Sequence, residues 1–167
     1  MKCLCFSDSH GQSYYMRRAL LLHPDTEVVF FLGDGVSDLE MLAEQNSAIA
    51  FFAVRGNCDH TSLFRGAPLK KTDSITLKNH KIVFTHGDLY MVKHSDEGLK
   101  ALARAEHADL LLFGHTHTPF EKYVNLGLQN TYFFNPGSIG GAYGNATSYG
   151  VITMDEKNIL LSFGSFA

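Results

Sequence analysis

Asp8, His10, Asp34, Asn57, His86, His115 and His117 are side chains of the kinds that ligate metal ions, and they sit where five apolar, strand-like runs stop. Cys3–Ser7 runs into Asp8-Ser9-His10, Val28–Leu32 into Gly33-Asp34-Gly35, and Ile49–Val54 into Arg55-Gly56-Asn57. Ile82–Thr85 runs into His86, and Leu110–Phe113 into Gly114-His115-Thr116-His117. Parallel α/β sheets bind ligands just beyond the carboxyl ends of their strands. Two carboxylates, four imidazoles and one amide gathered on such an edge make a two-metal hydrolytic centre. Mixed nitrogen and oxygen donors suit Mn, Fe, Zn or Co rather than Ca.

Taken singly, these residues have plainer readings. Asp8 and His10 stand at i and i+2, so on extended chain they point to the same side; an Asp after a strand is also an ordinary turn or cap residue. Asp34 between two glycines is either a turn former at positive φ or a carboxylate given room to bridge two cations. Asn57 after Gly56 fits a turn as well as a ligand. His115 and His117, again at i and i+2, have α-carbons about 6.6 Å apart on extended chain. That suits one histidine on each of two ions about 3.5–4 Å apart. His23, His60, His80, His94 and His107 fall in loops or at helix ends, where solvation is the default, and Asp38 reads as a first-turn helix acid.

The elements that must deliver these groups alternate in the first half of the chain. Strand Lys2–Ser7 leads to a helix over Ser13–Leu22, with Tyr15, Ala19 and Leu22 on its apolar face. Strand Glu27–Leu32 leads to a helix opened by the capping box Ser37-Asp38-Leu39-Glu40, with Leu39, Leu42 and Ala43 as its stripe. Strand Ala48–Arg55 completes a parallel βαβαβ rhythm. The second half is richer in hairpins: Asp73–Leu77 with Lys81–Thr85, Phe120–Asn125 with Thr131–Asn135, and Val151–Asp155 with Ile159–Ser165. A helix over Glu97–His107 and strand Asp109–Phe113 lie among them. The order implies two packed sheets with helices outside.

The chain has 167 residues, 45% of them apolar, and a net charge of −3, which fits a globular α/β protein with one core. No apolar run approaches the roughly 18 residues of a membrane span. Asp8 interrupts the stretch where a signal peptide would continue, so a cytoplasmic protein is expected. Without a basic tract, long nucleic acid is not an expected partner. Asp8 and Asp34 bring about −2 against roughly +4 from two cations, so the pocket attracts anions. Three cysteines make no disulfide framework; Cys3 and Cys5 read as buried small hydrophobes.

Ser7-Asp8-Ser9-His10-Gly11, Gly33-Asp34, Arg55-Gly56-Asn57-Cys58-Asp59, Thr85-His86-Gly87 and Gly114-His115-Thr116-His117 occur in that order. Asn135-Pro136-Gly137-Ser138 and Ser148-Tyr149-Gly150 extend the set over essentially the whole chain. The pattern resembles the calcineurin-like metallophosphoesterases, specifically the YfcE-like phosphodiesterase subfamily, which also contains the retromer scaffold subunit. The resemblance implies a single domain over 1–167 and an α/β four-layer αββα sandwich of two mixed sheets flanked by helices. It assigns Asp8, His10 and His117 to one metal, and Asn57, His86 and His115 to a second, with Asp34 bridging. It makes a metal-bridging hydroxide the nucleophile, with Asn57, Asp34 and His86 as catalytic residues. Mn²⁺ is the expected ion, with Zn, Fe, Ni or Co as alternatives, and a small phosphate ester, in particular a diester, is the expected substrate.

Two positions depart from the wider superfamily. Cys58 stands where many members carry a histidine that donates a proton or stabilises charge, and it reads as a small packed side chain rather than a nucleophile. Asp88 stands where relatives often carry another histidine, and it either orients His86 or a water, or is a solvated loop residue. The alternative to catalysis is a non-catalytic scaffold on the same fold, as in the retromer subunit; the full set of ligand positions favours catalysis. Specificity is expected in the loops Asp59–Pro68 and Gly137–Tyr149. A homo-oligomer is compatible with the sequence.

Overall fold

A computed structural model describes residues 1–61, 63–141 and 146–166. Parts of both expected specificity loops, residue 62 and residues 142–145, therefore lie outside the described residues. Strands β1 (Lys2–Phe6), β2 (Val28–Phe31) and β3 (Ala50–Ala53) pair in parallel, connected by α1 (Ser13–Leu22) and α2 (Val36–Glu44). A two-stranded hairpin follows, β4 (Leu63–Phe64) with β5 (Ala67–Pro68), which the sequence reading leaves as loop. Next come β6 (Thr72–Leu77), β7 (His80–Thr85), α3 (Glu97–Glu106), β8 (Leu110–Phe113), β9 (Pro119–Asn125), β10 (Asn130–Pro136), β11 (Thr147–Met154) and β12 (Ile159–Phe166).

These strands make two five-stranded mixed sheets, ordered β12-β11-β1-β2-β3 and β6-β7-β8-β10-β9. The side-chain alternation shows the layers. On β1, Leu4 and Phe6 pack toward α1 and α2, while Cys3 and Cys5 face the second sheet. On β8, Leu110 and Leu112 face the first sheet, while Leu111 and Phe113 pack toward α3. Central strands buried on both faces read as unbroken apolar runs, as parallel strands do. The result is the four-layer αββα sandwich. Phe30 and Phe84 meet edge-to-face at 5.4 Å between the sheets, and Cys3 and Cys5 are fully buried there as expected.

Two local expectations change. The buried side of α1 is Met16, Ala19 and Leu20, while Leu22 is exposed. The capping box at Ser37 does not form, because α2 starts at Val36 with Gly35 as its N-cap and no side-chain cap from within. The Lys78-Asn79 hairpin turn takes positive φ at both residues, as a tight two-residue turn requires.

Candidate metal centre

All five metal-ligand loops leave their strands at the same end of the sandwich, three from the first sheet and two from the second. The structure groups the predicted ligands into two sets, Asp8 with His10 and His117, and Asp34 with His86 and His115. Within each set the ligand atoms all lie within 4.8 Å of one another. Asn57 joins the second set, its Oδ1 lying 3.0 Å from His86 Nε2. The sequence reading thus names every member.

The reason it gives for the histidine pairs needs correction. Neither pair sits on extended chain. Asp8, His10, Asp34, His115 and His117 all have φ between 46° and 67°, in the left-handed region. Five non-glycine residues in that region at one site concentrate backbone strain, which persists only where neighbours hold it. The side chains converge because the loops coil after the strands end.

What holds the loops is a set of polar residues, half-buried Asp59 and buried Asp38, Asn135 and Ser138. Asp59 accepts four backbone N–H groups at 2.7–2.9 Å, from Asp34, Gly35, Val36 and Gly56. It supplies the N-terminal capping of α2 that Ser37 does not, and ties the Asp34 loop to the Asn57 loop. Asp38 accepts from Ser9 Oγ at 2.7 Å and from Gly11 N at 2.8 Å, bracing the turn that carries His10. Asn135 donates to Gly114 O and to Thr116 Oγ1, both at 3.0 Å, gripping the turn that carries His115 and His117. Ser138 Oγ donates to Asp8 O. Asp59 and Asn135 stand within the motifs quoted above, where neither is assigned a positioning role. The signal was available in Asp59: glycine-rich turns present backbone donors that need a nearby anion.

Asp59→Ala is expected to lower stability by about 2–3 kcal/mol, through loss of a helix cap and of charged hydrogen bonds. Metal affinity should fall with it by about 10–100-fold. Thermal melting and metal titration of the variant measure both, and an unchanged metal affinity would show that Asp59 does not position the ligands.

The electrostatics favour a cation. Asp8 is fully buried, and its Oδ2 accepts from Ser7 Oγ and His115 N. Its Oδ1, also buried, accepts no hydrogen bond. His117 Nε2 lies 3.1 Å from that oxygen, His10 Nε2 lies 3.9 Å from it, and the two nitrogens are 3.4 Å apart. A buried carboxylate oxygen without a hydrogen bond is costly, and a cation coordinated by these three atoms relieves it. The donor set fits a divalent ion.

Burial opposes the Asp34 carboxylate. The hydrogen bond and charge of His86, with the Cys58 N–H, outweigh it and hold the group well below the usual carboxylate range. Burial likewise opposes protonation of His86, but Asp34, Asp8 and the Leu32 carbonyl raise its pKa above the ordinary value. A metal ion bound by this set would take the place of that proton. For His115, burial comes first and the His86 and Lys93 charges second, and both lower its pKa. His86 Nδ1 donates to Leu32 O at 2.8 Å, which fixes the ring and presents Nε2 to the centre.

Cys58 is exposed rather than packed. Its Sγ accepts from Asn57 Nδ2 at 3.2 Å, turning the amide oxygen of Asn57 toward His86. Burial, a hydrogen bond to Asp34 and the surrounding carboxylates raise its pKa, so the thiol stays neutral. Asp88 does not orient His86. It pairs with Lys71 at 3.1 Å, and Lys71 Nζ also donates to Gly56 O at 3.0 Å.

Residues 1–157 match the family model of the calcineurin-like phosphoesterase superfamily domain. The chain belongs to this superfamily. Among superfamily relatives, it is 30% identical over 165 residues to the probable metallophosphoesterase YsnB of Bacillus subtilis, covering 98% of this chain and 90% of that protein. It is 28% identical over 179 residues to the phosphodiesterase YfcE of Escherichia coli, covering 96% and 91%. The fold is shared with Vps29 of Entamoeba histolytica complexed with zinc, at a TM-score of 0.76 and 23% identity over the whole of both chains. The superfamily binds divalent metals, and two candidate sites for them are present in this phosphoesterase chain.

Proposed function

We propose that this protein is a metal-dependent phosphodiesterase that hydrolyses a small phosphate diester at a dinuclear centre. The observation that carries the reading is the buried, hydrogen-bond-free Oδ1 of Asp8 facing His10 and His117, beside a second complete ligand set. Asp8, His10 and His117 would hold one ion, and Asn57, His86 and His115 the other, with Asp34 shared between the two sets. When bound, two divalent cations neutralise charge on the phosphoryl oxygens and lower the pKa of a water. Mn²⁺ is our choice of ion.

The chain's own residues supply position. Leu32 O locks His86, Cys58 Sγ turns the Asn57 amide, and Cys58 N holds the Asp34 carboxylate. Asn57 is exposed, so a phosphoryl group at the second set would be within its reach. Cys58, a neutral thiol where many relatives carry histidine, gives the leaving group no strong acid. Reactivity therefore depends on the leaving group itself. We read residues 1–167 as one domain acting in the cytoplasm on a small ester.

Incubation with a chelator is expected to abolish cleavage of bis(p-nitrophenyl) phosphate, and Mn²⁺ to restore it. Across a series of aryl methyl phosphates, kcat/KM should fall as leaving-group pKa rises. Full turnover in the chelated protein would overturn the metal mechanism. A protein that binds no metal, cleaves no ester and captures a protein partner would support the scaffold reading, in line with the Vps29 likeness. The complete ligand set is what favours catalysis.

A further inference from the structure

A cavity of about 320 Å³ opens beside His117, between the first residues of β9 and β11 and the last turn of β12. Its walls include Thr118, Pro119, Thr147, Ser148 and Phe163, with His117 on one side. The same residue thus contributes its imidazole to the Asp8 set and lines this wall. A phosphorus atom held at the Asp8 set would have this cavity beside it, on the His117 side.

The chemistry of the walls restricts that group. Among the described residues, no Lys, Arg, Asp or Glu lines the cavity. Two of the wall hydroxyls already donate within the protein, Thr147 Oγ1 to Phe166 O at 2.9 Å and Ser148 Oγ to Pro136 O at 2.8 Å. A charged substituent, such as a second phosphate, meets no Lys or Arg among these wall residues and loses its water. Phe163 is 42% exposed, and it stacks on Phe134 at 4.9 Å and 16° between ring planes. Phe134 is fully buried between the sheets, so the Phe163 ring is backed by the core. An aromatic face held in this way stacks a flat ring at little cost in side-chain entropy. Ligand pockets start at about 300 Å³, so one ring system fills this one.

Two other cavities serve less well. One of about 420 Å³ lies among Met1, Lys78, Met154 and Lys157 and includes none of the metal-ligand residues. The cavity under Val92–Asp96 has no metal ligand in its wall, and its Lys122 is paired with Asp96 at 3.4 Å.

We propose that the Phe163 cavity is the subsite for a planar, uncharged ring, aryl or nucleobase, carried by the substrate diester. The inference rests on the phosphoesterase reading for where phosphorus sits, and it is tested by binding as well as by turnover. Phenylphosphonate and methylphosphonate are titrated into the Mn²⁺-loaded protein by calorimetry. Phenylphosphonate should bind about tenfold more tightly, the size of a good stacking contact, and Phe163→Ala should abolish the preference. Phe163→Leu, which keeps an apolar side chain against Phe134 but has no flat face, should abolish it too, and a melting curve checks that both variants fold. In turnover, methyl p-nitrophenyl phosphate, bis(p-nitrophenyl) phosphate and the p-nitrophenyl ester of thymidine 5′-monophosphate share one leaving group. Phe163→Ala should lower kcat/KM about tenfold more for either ring-bearing ester than for the methyl ester. Whichever of the two loses more identifies the ring as aryl or nucleobase.

Equal binding of the two phosphonates, or a preference that survives both substitutions, overturns the subsite. A preference that depends on Phe163 without hydrolysis of any ester supports the subsite and removes the phosphodiesterase reading instead.

Discussion

Asp34→Ala is expected to reduce Mn²⁺-dependent cleavage of bis(p-nitrophenyl) phosphate to background, a fall in kcat/KM of at least about 10³-fold. Asp34 is 3% exposed, and three features of its surroundings favour its ionised form: the Cys58 N–H, the His86 imidazole and the charge of that ring. Its Oδ2 lies 3.4 Å from His86 Nε2. Removing the carboxylate leaves His86 and His115 without an anionic partner in their set, so an ion there loses charge balance as well as a ligand. Asp34→Asn separates the two losses, because the amide keeps the shape and an acceptor oxygen without the charge. Metal content and turnover should fall together in the Ala variant, with Asn between it and the parent. His115→Ala is the companion test. Unaltered turnover in both Asp34→Ala and His115→Ala would remove the proposed centre.

Gly56→Ala is expected to act nearly as strongly without touching a ligand. A Cβ on Gly56 meets the Asp34 Oδ1, and lies 2.6 Å from Asp34 N and 2.7 Å from its Cγ. The obstacle is mostly backbone and a carboxylate already held by Cys58, so no flexible side chain can yield. The loop must shift, and with it Asp34, Asn57 and the Asp59 clamp. A displacement of about 1 Å at a catalytic group costs about 10²-fold in rate. Overpacking of this kind costs about 1–3 kcal/mol in stability. Gly66→Ala is the control: its φ of +78° makes a side chain strained, but nothing lies within 4 Å of the added Cβ. That variant should melt lower and keep full turnover. If Gly56→Ala keeps its rate, the close approach of the two loops is not what positions Asp34.

Much of this protein was legible in its residues because the signals were local and repeated. Apolar runs unbroken by polar residues required strands covered on both faces, and the helices between the early ones required parallel pairing. The existence of each main strand and of α1, α2 and α3 follows from that, as does the gathering of ligands at one sheet edge. The candidate residues could be picked out for the same reason, since each stands within a few residues of a strand end. The resemblance to a known family sharpened its division into two groups.

Tertiary structure decided how the ligands are aimed. Extended geometry predicts that Asp8 and His10, and His115 and His117, share a side by strand pleating, yet all four have left-handed backbones. No short window of sequence contains the reason, because the partners that hold those turns come from elsewhere. Asp59 lies 25 residues from Asp34, Asn135 lies 21 from Gly114, and Ser138 lies 130 from Asp8. The face of α1 and the missing capping box went astray for a related reason: which helix residues are buried depends on the sheet beneath them, and Asp59 took the cap. The cavity beside His117 is likewise a product of assembly, built where residues of β9, β11 and β12 come together across two sheets. Residue type and spacing determined what chemistry this chain carries. Long-range hydrogen bonds between loops determined where each group points, because a strained turn is stable only when distant parts of the fold hold it.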